Sequence, residues 1–531
     1  MLTARRYWSI VLLFLTIFAL CQGVQLARDA IQPAGAADEP TLSREEAEAA
    51  RAAFPARTRV VFAGGEASDA ARMAREWSDY ARCALNSVAS LSEAAQGQTD
   101  MVIVPAASLA ESPTALAACL EAGMDVVCLG LPEAEALSGS EALCDMLGVR
   151  DIRAERTALK GIHLFAGFLL GGERVYAARP GEEARQDLPL AQPWYTLGQG
   201  TKTYAQGLPA DPAGARNEEL PALAWRSHYG NGQVYVLADA FVRDRLAFMG
   251  AMQAVLAERA AWLVYPVVNA RVFSLVGFPV ASDENDARME RVYAMSQTRL
   301  QQEVILPACH AAAARHGLLV SCFARGEGEA LARCEELLTQ MGGELRRDDF
   351  DALAAPGPER PVVGWREDGA ILQVTGRAET HSFGDDLALL GAQTALGYTH
   401  DCYDMTPVFW PATAADEWQN VSRAVFGNEV TAGAPFAAFD RLTVSRAEAR
   451  ARRYLALSVE TRREGDELTL RLAGFDGEAY FILRTHGEEA SALAGCDVKE
   501  IEPGAYLIRA TAAQATVALK HALRARLEGG R

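Results

Sequence analysis

The sequence predicts a multidomain α/β protein that begins with one membrane-spanning helix and ends with a small β-sandwich. Three observations predict this fold class. One long apolar run stands near the N-terminus, short apolar runs then alternate with helical stretches, and the last part contains only short alternating runs separated by turns. With 531 residues, 50% of them hydrophobic, the chain is long enough to form several cores.

The first segment is the apolar run from Tyr7 to Val24, which follows two arginines. Its length is about that of one bilayer crossing. Because a positive flank stays in the cytoplasm, the predicted localisation is the cell membrane, single-pass, with the bulk of the chain extracytoplasmic. Residues 1–27 are then the anchor and residues 28–57 a tether. A cleaved signal peptide is the alternative, although its small-residue site at 34–36 lies far beyond the apolar run.

Charge and cysteine usage limit the possible partners and the redox chemistry. The net charge of -18 argues against nucleic acid or an anionic membrane surface as the main partner, because both would repel the chain. A cationic polymer remains compatible with this charge. The 10 cysteines are scattered, and none has C-x-x-C spacing, so buried free thiols are predicted.

Residues 58–260 show strands alternating with helices. Three short apolar runs are each followed by a helical stretch: 59–63, 101–105 and 125–129. This spacing predicts a doubly wound parallel sheet. The order resembles the class I glutamine amidotransferase-like fold, a flavodoxin-type three-layer sandwich. No working catalytic triad is expected, because Cys128 lacks a small-residue elbow and nothing orders His228 and Asp239 as its partners.

Residues 261–450 are organised around the apolar run from Tyr265 to Val280, which predicts one buried strand leading into the polar turn 282–286. Residues just past the C-terminal ends of parallel strands line the functional face of α/β folds. This run, the Gly-Gly-Glu-Leu segment at 342–345 and the segment from Gly397 to Trp410 occur in an order that resembles a polysaccharide deacetylase-type (β/α) barrel.

The combination of one N-terminal anchor, an amidotransferase-like domain and a deacetylase-like barrel resembles a membrane-anchored family of Gram-positive bacteria linked to Pel-type exopolysaccharide production. The resemblance covers most of residues 1–450. It implies an extracytoplasmic protein of exopolysaccharide and biofilm biosynthesis. Its partners would be the membrane, the exopolysaccharide and other subunits of the synthesis machine.

The resemblance also implies a metal site, which this sequence does not preserve. Deacetylases of this fold use a divalent metal held by one Asp and two His, with a second Asp as base. The family pattern expects an Asp pair before the Phe-Pro of the first strand, where this chain has Val276 and Gly277. It expects a His cluster after Gly-Gly-Glu-Leu, where the chain has Arg346 and Arg347. A pseudo-enzyme is therefore predicted, and whether the chain is an enzyme stays open.

Other residues offer a rearranged metal site. Asp283 with His381 and His400 is the candidate ligand set, and Asp283 or Asp401 is the candidate catalytic carboxylate. The alternative function is then an active metal-dependent polysaccharide N-deacetylase with zinc as cofactor. Without that activity no cofactor is expected. The same residues are also explained by a solvated acidic loop and hydrogen-bonded histidines.

A degenerate barrel can still bind sugar. Tyr398 and Trp410 supply apolar ring faces, and Asp401 and Asp404 supply acceptors for hydroxyl or ammonium groups. The acidic charge suits a partly deacetylated, cationic amino-sugar polymer. The predicted function is therefore glycan or partner binding within exopolysaccharide biosynthesis.

Residues 451–531 contain short alternating runs separated by turns such as 463–466 and 474–477. This pattern predicts an antiparallel β-sandwich. The segment carries no metal or nucleophile constellation, so it is predicted to be a packing or carbohydrate-contact module.

Overall fold

The structure is a computed structural model that describes residues 40–521 except 57, 178–186, 189–190, 213, 282–284, 327, 356, 358, 368 and 379–381. The described chain contains one large mixed sheet, a second and mostly parallel sheet, a short hairpin, and two four-stranded sheets. These form a first α/β unit, a second α/β unit and a β-sandwich.

The first unit comprises residues 40–260. Its strands are β1 (Arg59–Ala63), β2 (Ala84–Val88), β3 (Met101–Pro105), β4 (Asp125–Leu129), β5 (Val149–Leu164), β6 (Arg174–Ala177), β7 (Ala191–Leu197), β8 (Lys202–Pro209), β9 (Ala222–Tyr229) and β10 (Gly232–Leu237). Its helices are α1 (Arg44–Arg51), α2 (Asp69–Ala81), α3 (Leu91–Ala94), α4 (Ala106–Glu111), α5 (Pro113–Glu121), α6 (Ala134–Ser138), α7 (Glu141–Leu147), α8 (Asp239–Val242) and α9 (Arg245–Arg259).

The large sheet has the strand order β2-β1-β3-β4-β10-β9-β8-β5-β6, and β7 also pairs with β5. The first five strands in this order are parallel and follow the flavodoxin-like arrangement. Their side chains alternate between two buried faces, since Val60 and Phe62 join one core and Val61 and Ala63 the other. Helices on both faces therefore explain why β1 is a continuous apolar run.

The second unit contributes strands β11 (Trp262–Val267), β12 (Ala270–Val280), β13 (Val320–Arg325), β14 (Glu344–Arg346), β15 (Val363–Arg366), β16 (Gly369–Leu372), β17 (Gly376–Arg377), β18 (Tyr398–Asp404) and β19 (Arg441–Leu442). Its helices are α10 (Asp286–Tyr293), α11 (Gln297–Arg299), α12 (Leu306–His316), α13 (Glu329–Gln340), α14 (Phe350–Ala354), α15 (Phe383–Leu396), α16 (Thr406–Phe409), α17 (Trp418–Gly433) and α18 (Val444–Ala456).

The apolar run from Tyr265 to Val280 forms two strands and not the single strand predicted from the sequence. Asn269, with φ 55°, ends β11 and redirects the chain into β12. β11 pairs with β22 (Ala479–Thr485) of the C-terminal sandwich, whereas β12 pairs with β13 and β18. A continuous apolar run shows that its residues are buried but does not show in which sheet.

The second sheet is open in the described part of the chain, so the predicted (β/α) barrel is corrected. Its strand order is β14-β13-β12-β18-β17, with β19 on β12, and all its pairs are parallel. Strands β15 and β16 pair only with each other, as an antiparallel hairpin. A (β/α) barrel requires all its strands to form one closed sheet. Because this hairpin lies outside the sheet, the described strands do not form a barrel.

The C-terminal sandwich uses β11 and the last seven strands of the described chain. Those strands are β20 (Ser458–Glu464), β21 (Glu467–Ala473), β22 (Ala479–Thr485), β23 (Glu488–Ala494), β24 (Cys496–Glu502), β25 (Ala505–Ala510) and β26 (Gln514–His521). The two sheets, β11-β22-β25-β24 and β20-β21-β26-β23, enclose a core that includes Leu470, Phe481 and Ile508.

The predicted membrane-spanning segment, Tyr7 to Val24, lies outside the described residues. Within the described ranges, no helix is long and apolar enough to cross a membrane. The longest regular α-helix described there, Trp418–Gly433, has 16 residues, whereas a bilayer core requires about 20. The predicted fold class and the single-pass membrane localisation are corrected accordingly, and the structure defines a mixed α/β multidomain fold.

The two α/β units share one hydrophobic core because helices α9 and α15 touch through glycines. A Cβ on Gly250 would collide with the backbone of Gly391, and a Cβ on Gly391 would collide with the backbone of Leu246. The surrounding core includes Phe248 of α9 and Leu387 of α15. The close helix contact therefore places α15, and the strand β18 that follows it, relative to the first unit.

We predict that Gly391→Ala destabilises the protein although alanine favours helix formation by about 1 kcal/mol. The collision forces the two helices apart, at a cost of about 1–3 kcal/mol in the free energy of unfolding. Gly427→Ala is the matched control, because Gly427 lies in α17 with nothing within 4 Å of its Cβ position. Urea denaturation measures both variants, and equal midpoints for the two would contradict the prediction.

Candidate functional site

The carboxyl ends of β13, β12 and β18 lie side by side at one edge of the second sheet. Val276 of β12 is in register with Asp404 of β18, and Val280 is in register with Arg325 of β13. Between them the strand bulges at Gly277, whose φ of 67° is in the left-handed region that favours glycine. This kink places Gly277 beside Asp404, since a Cβ on Gly277 would lie 3.7 Å from Asp404 Oδ1.

One face of the second sheet buries His400, a predicted metal ligand. Its Nδ1 lies 3.2 Å from the carbonyl oxygen of Leu372, and its Nε2 lies 2.7 Å from Ser274 Oγ. Because a carbonyl oxygen only accepts, Nδ1 carries the proton and Nε2 accepts from the Ser274 hydroxyl. Burial lowers the pKa of His400 to about 4, so the ring is neutral. Neither nitrogen is free to bind a metal.

Apolar side chains cover His400 toward the strand ends. The ring of Phe350 lies edge-on to His400, with 6.4 Å between the ring centroids, and edge-on to Phe323 at 4.9 Å. Val276, which occupies one of the two expected carboxylate positions, packs against the same core. We call the surface formed by Phe323, Phe350 and Val276 the filled inner face of the sheet. All three of these side chains are apolar.

The structure does not test the other two predicted metal ligands. Asp283 and His381 both lie outside the described residues. In the part of the chain that the structure describes, no group of three or more His, Cys, Asp or Glu side chains could hold a metal ion. Arg346 pairs with Asp348 and Glu448 and contacts Ser445, so its charge is directed toward α18 and not toward the strand ends.

The four predicted sugar-binding residues lie in three different environments: Tyr398 in the core, Asp404 and Trp410 at the strand ends, and Asp401 in a cleft. Tyr398 is fully buried, and its hydroxyl donates to the carbonyl of Gln373 at 3.0 Å, so its ring offers no surface to a sugar. Asp404 is exposed at the strand end, where Oδ1 accepts from the backbone of Thr406. Trp410 is partly exposed near the same edge.

Arg325 completes this exposed surface and was missed by the sequence reasoning. Its guanidinium carbon lies 5.4 Å from the centroid of the Trp410 ring, a cation–π distance. The ring of Phe409 also lies edge-on to the Trp410 ring, with 6.5 Å between the ring centroids. We call Arg325, Asp404 and Trp410 the strand-end platform. The available sequence signal was the position of Arg325 directly after the buried run of β13.

Asp401 lies on the opposite face of β18 from His400, in a solvent-open cleft of about 370 Å³. We call this space the acidic cleft, and its polar lining is Arg377, Asp385, Asp386, Asp401, Asn428 and Glu429. Burial and the hydrogen-bonded carboxyl of Asp401 raise the pKa of Glu429 well above its usual value. Glu429 was not predicted, because it reaches the cleft from helix α17 and not from the strand.

The first unit has no assembled nucleophile at the positions considered from the sequence. Cys128 is fully buried at the end of β4, with Sγ 3.4 Å from the carbonyl oxygen of Gly130. Burial raises the pKa of its thiol well above the usual range, which opposes thiolate formation. Asp239 pairs with Arg243, and His228 is exposed on β9.

Comparison with protein-family models and with curated proteins gives no match. Among solved structures, the chain is similar to the crystal structure of Agd3, "a novel carbohydrate deacetylase", with 10% identity, a TM-score of 0.42 and coverage of 87% of this chain and 98% of that one. This is a distant structural similarity to a carbohydrate deacetylase.

The chain is also similar to Gan42B, a GH42 β-galactosidase from G. stearothermophilus, and to a catalytic mutant of it. Identities are 12% and 13%, both TM-scores are 0.24, and 40% of this chain covers 33% and 32% of those chains. Structural similarity at these TM-scores does not indicate the function of this chain.

We predict that His400 makes the protein less stable as the pH falls below about 6.5. The unfolded chain binds a proton there, whereas the folded ring stays neutral down to about pH 4, so the free energy of unfolding decreases by roughly 2 kcal/mol between pH 7 and pH 5. His400→Gln removes this dependence, and His310→Gln, at an exposed position of α12, keeps it. Urea denaturation at both pH values checks this, and parallel pH curves for the three proteins would refute it.

Proposed function

We propose that the chain binds a glycan at the strand-end platform and that the filled inner face does not carry out metal-dependent amide hydrolysis. The observation that carries this proposal is the partly exposed ring of Trp410, held by Arg325 at the edge where Asp404 is exposed. An aromatic ring beside donors and acceptors is the usual composition of a sugar-binding surface.

The three side chains of the platform have complementary roles. The Trp410 ring offers an apolar face for the C–H groups of a pyranose ring. Asp404 accepts hydrogen bonds from hydroxyl or ammonium groups. Arg325 is exposed at the end of β13, and its guanidinium N–H groups are the donors of the platform for ligand oxygens.

Among the described residues, the inner face offers no cluster of side chains that could hold a metal ion. A metal that polarises an amide needs ligands with free lone pairs and room for a water molecule. On this face both nitrogens of His400 are engaged, and the ring of Phe350 lies edge-on to the His400 ring. These contacts favour ligand binding at the exposed strand ends over hydrolysis on the inner face.

We further propose that the ligand is an exopolysaccharide containing amino sugars, of the Pel type that the order of the sequence segments resembles. The support is electrostatic, since the chain has a net charge of -18 and the platform exposes the carboxylate of Asp404. A polymer with free amino groups is cationic and is attracted to such a surface.

We predict that Trp410→Ala weakens binding of partly deacetylated amino-sugar oligosaccharides by at least about ten-fold, or 1.4 kcal/mol. Trp410→Phe keeps a smaller ring and is expected to lie in between. Arg325→Gln releases the ring and also weakens binding. Arg347→Gln, at the end of the neighbouring strand where Arg347 pairs with Glu335 at 2.8 Å, is the matched control and is expected to bind normally. Isothermal titration calorimetry measures all four, and unchanged affinity in Trp410→Ala would exclude the platform.

Metal analysis tests the proposal that the inner face does not carry out metal-dependent amide hydrolysis. Purified protein is expected to contain less than stoichiometric zinc and to release no acetate from an N-acetylated polymer. Stoichiometric zinc that disappears in Asp283→Ala and in His400→Ala, together with acetate release by the unmodified chain, would instead establish the deacetylase alternative.

A further inference from the structure

A short helix holds the loop 405–411, which carries Trp410 and which we call the Trp410 loop. Three backbone carbonyl oxygens of this loop accept hydrogen bonds from helix α10 and the residue before it. The donors are Asn285 Nδ2 to Phe409 O at 2.7 Å, the Arg288 guanidinium to Pro411 O, and the Tyr293 hydroxyl to Val408 O at 3.2 Å. These contacts fix the backbone on both sides of Trp410.

Helix α10 in turn depends on this docking. It has 8 residues, whereas an isolated helix shorter than about 12 residues is marginal in water. Ala294 ends it with a φ of 55°, in the left-handed region that favours glycine. At its start, the side chain of Asn285 makes no capping hydrogen bond to the helix and donates instead to Phe409. The helix and the loop therefore secure each other.

The Trp410 loop also connects the exposed residues of the platform. The backbone N–H of Thr406 donates to Asp404 Oδ1 at 2.9 Å, and the carbonyl oxygen of Thr406 accepts from the backbone of Trp410 at 3.0 Å. Beneath the loop, Phe409 and Met289 of α10 are fully buried in one core. A displacement of α10 and the loop therefore disturbs the arrangement of Trp410 and Asp404.

We propose that α10 and the Trp410 loop dock and undock as one unit, and that the strand-end platform binds its glycan only while α10 is docked. Asn285, Arg288 and Tyr293 are then positioning residues, which act on the ligand through the loop. The inference rests on the proposed function, because it concerns the regulation of the same platform. A ligand that binds only the docked state shifts the chain toward that state, and the coupling between platform and helix is reciprocal.

Asn285→Asp separates this positioning role from the stability of the helix. Aspartate is as good an N-cap residue as asparagine, but an ionised carboxylate has no proton to donate to the carbonyl oxygen of Phe409. Asn285→Gln keeps an amide donor and is the conservative variant. Asn231→Asp is the matched control, because it also replaces an amide that donates to a backbone carbonyl, that of Glu121 at 3.1 Å in the first unit.

Fluorine NMR of the full chain labelled with fluorotryptophan tests the proposal without a ligand. Trp410→Phe identifies the Trp410 resonance. We expect this resonance to shift or broaden in Asn285→Asp, to keep its position in Asn231→Asp, and to return toward that position in Asn285→Gln. An unchanged Trp410 resonance in Asn285→Asp would overturn the proposal.

Hydrogen–deuterium exchange measures the reciprocal coupling. With a partly N-acetylated glucosamine oligosaccharide at about ten times its dissociation constant, protection of the amides 286–293 is expected to rise about ten-fold, as linkage requires for a ligand that binds one of two states. The amides 69–81 of α2 are expected to stay unchanged. No rise in α10, or an equal rise in α2, would contradict the coupling. An oligosaccharide that does not bind refutes the proposed function, and the fluorine spectra then decide alone whether α10 positions Trp410.

Discussion

The backbone contact between α9 and α15 is the constraint on which the rest of the structure depends. Gly250 and Gly391 let the two helices approach until their backbones touch, which joins the cores of the two α/β units. Helix α15 leads through Gly397 directly into β18, the strand that carries His400, Asp401 and Asp404. The position of all three side chains is therefore set by a contact between helices that contain none of them.

Alternation along β18 separates the chemistry of this strand into two environments. Successive side chains point to opposite faces, so His400 enters the filled inner face and Asp401 enters the acidic cleft. At the strand end, Asp404 is exposed to solvent. Polar residues that are close in sequence thus become a buried neutral imidazole, a carboxyl group that lines a cleft, and an exposed carboxylate.

Local signals in the sequence were sufficient for much of the secondary structure. The apolar runs at 59–63, 101–105 and 125–129 form strands β1, β3 and β4, because a run of that length bounded by turn residues has few other ways to be buried. The run from Tyr265 to Val280 was misread because burial alone does not reveal pairing partners. The Asp283 and His381 part of the rearranged metal site stays a prediction, since both residues lie outside the described ranges.

By itself the sequence determined which residues are apolar and which positions of the expected metal motif hold Val276, Gly277, Arg346 and Arg347, because these are properties of residue identity. Only the tertiary structure decided what surrounds each polar group. It buried Tyr398, engaged both ring nitrogens of His400 in hydrogen bonds, and brought the Arg325 guanidinium close to the Trp410 ring. It also placed Glu429 and Asp401 in the lining of one cleft. The physical reason is that burial, hydrogen bonding and charge pairing depend on partners far away in the chain, which helix packing and strand register select.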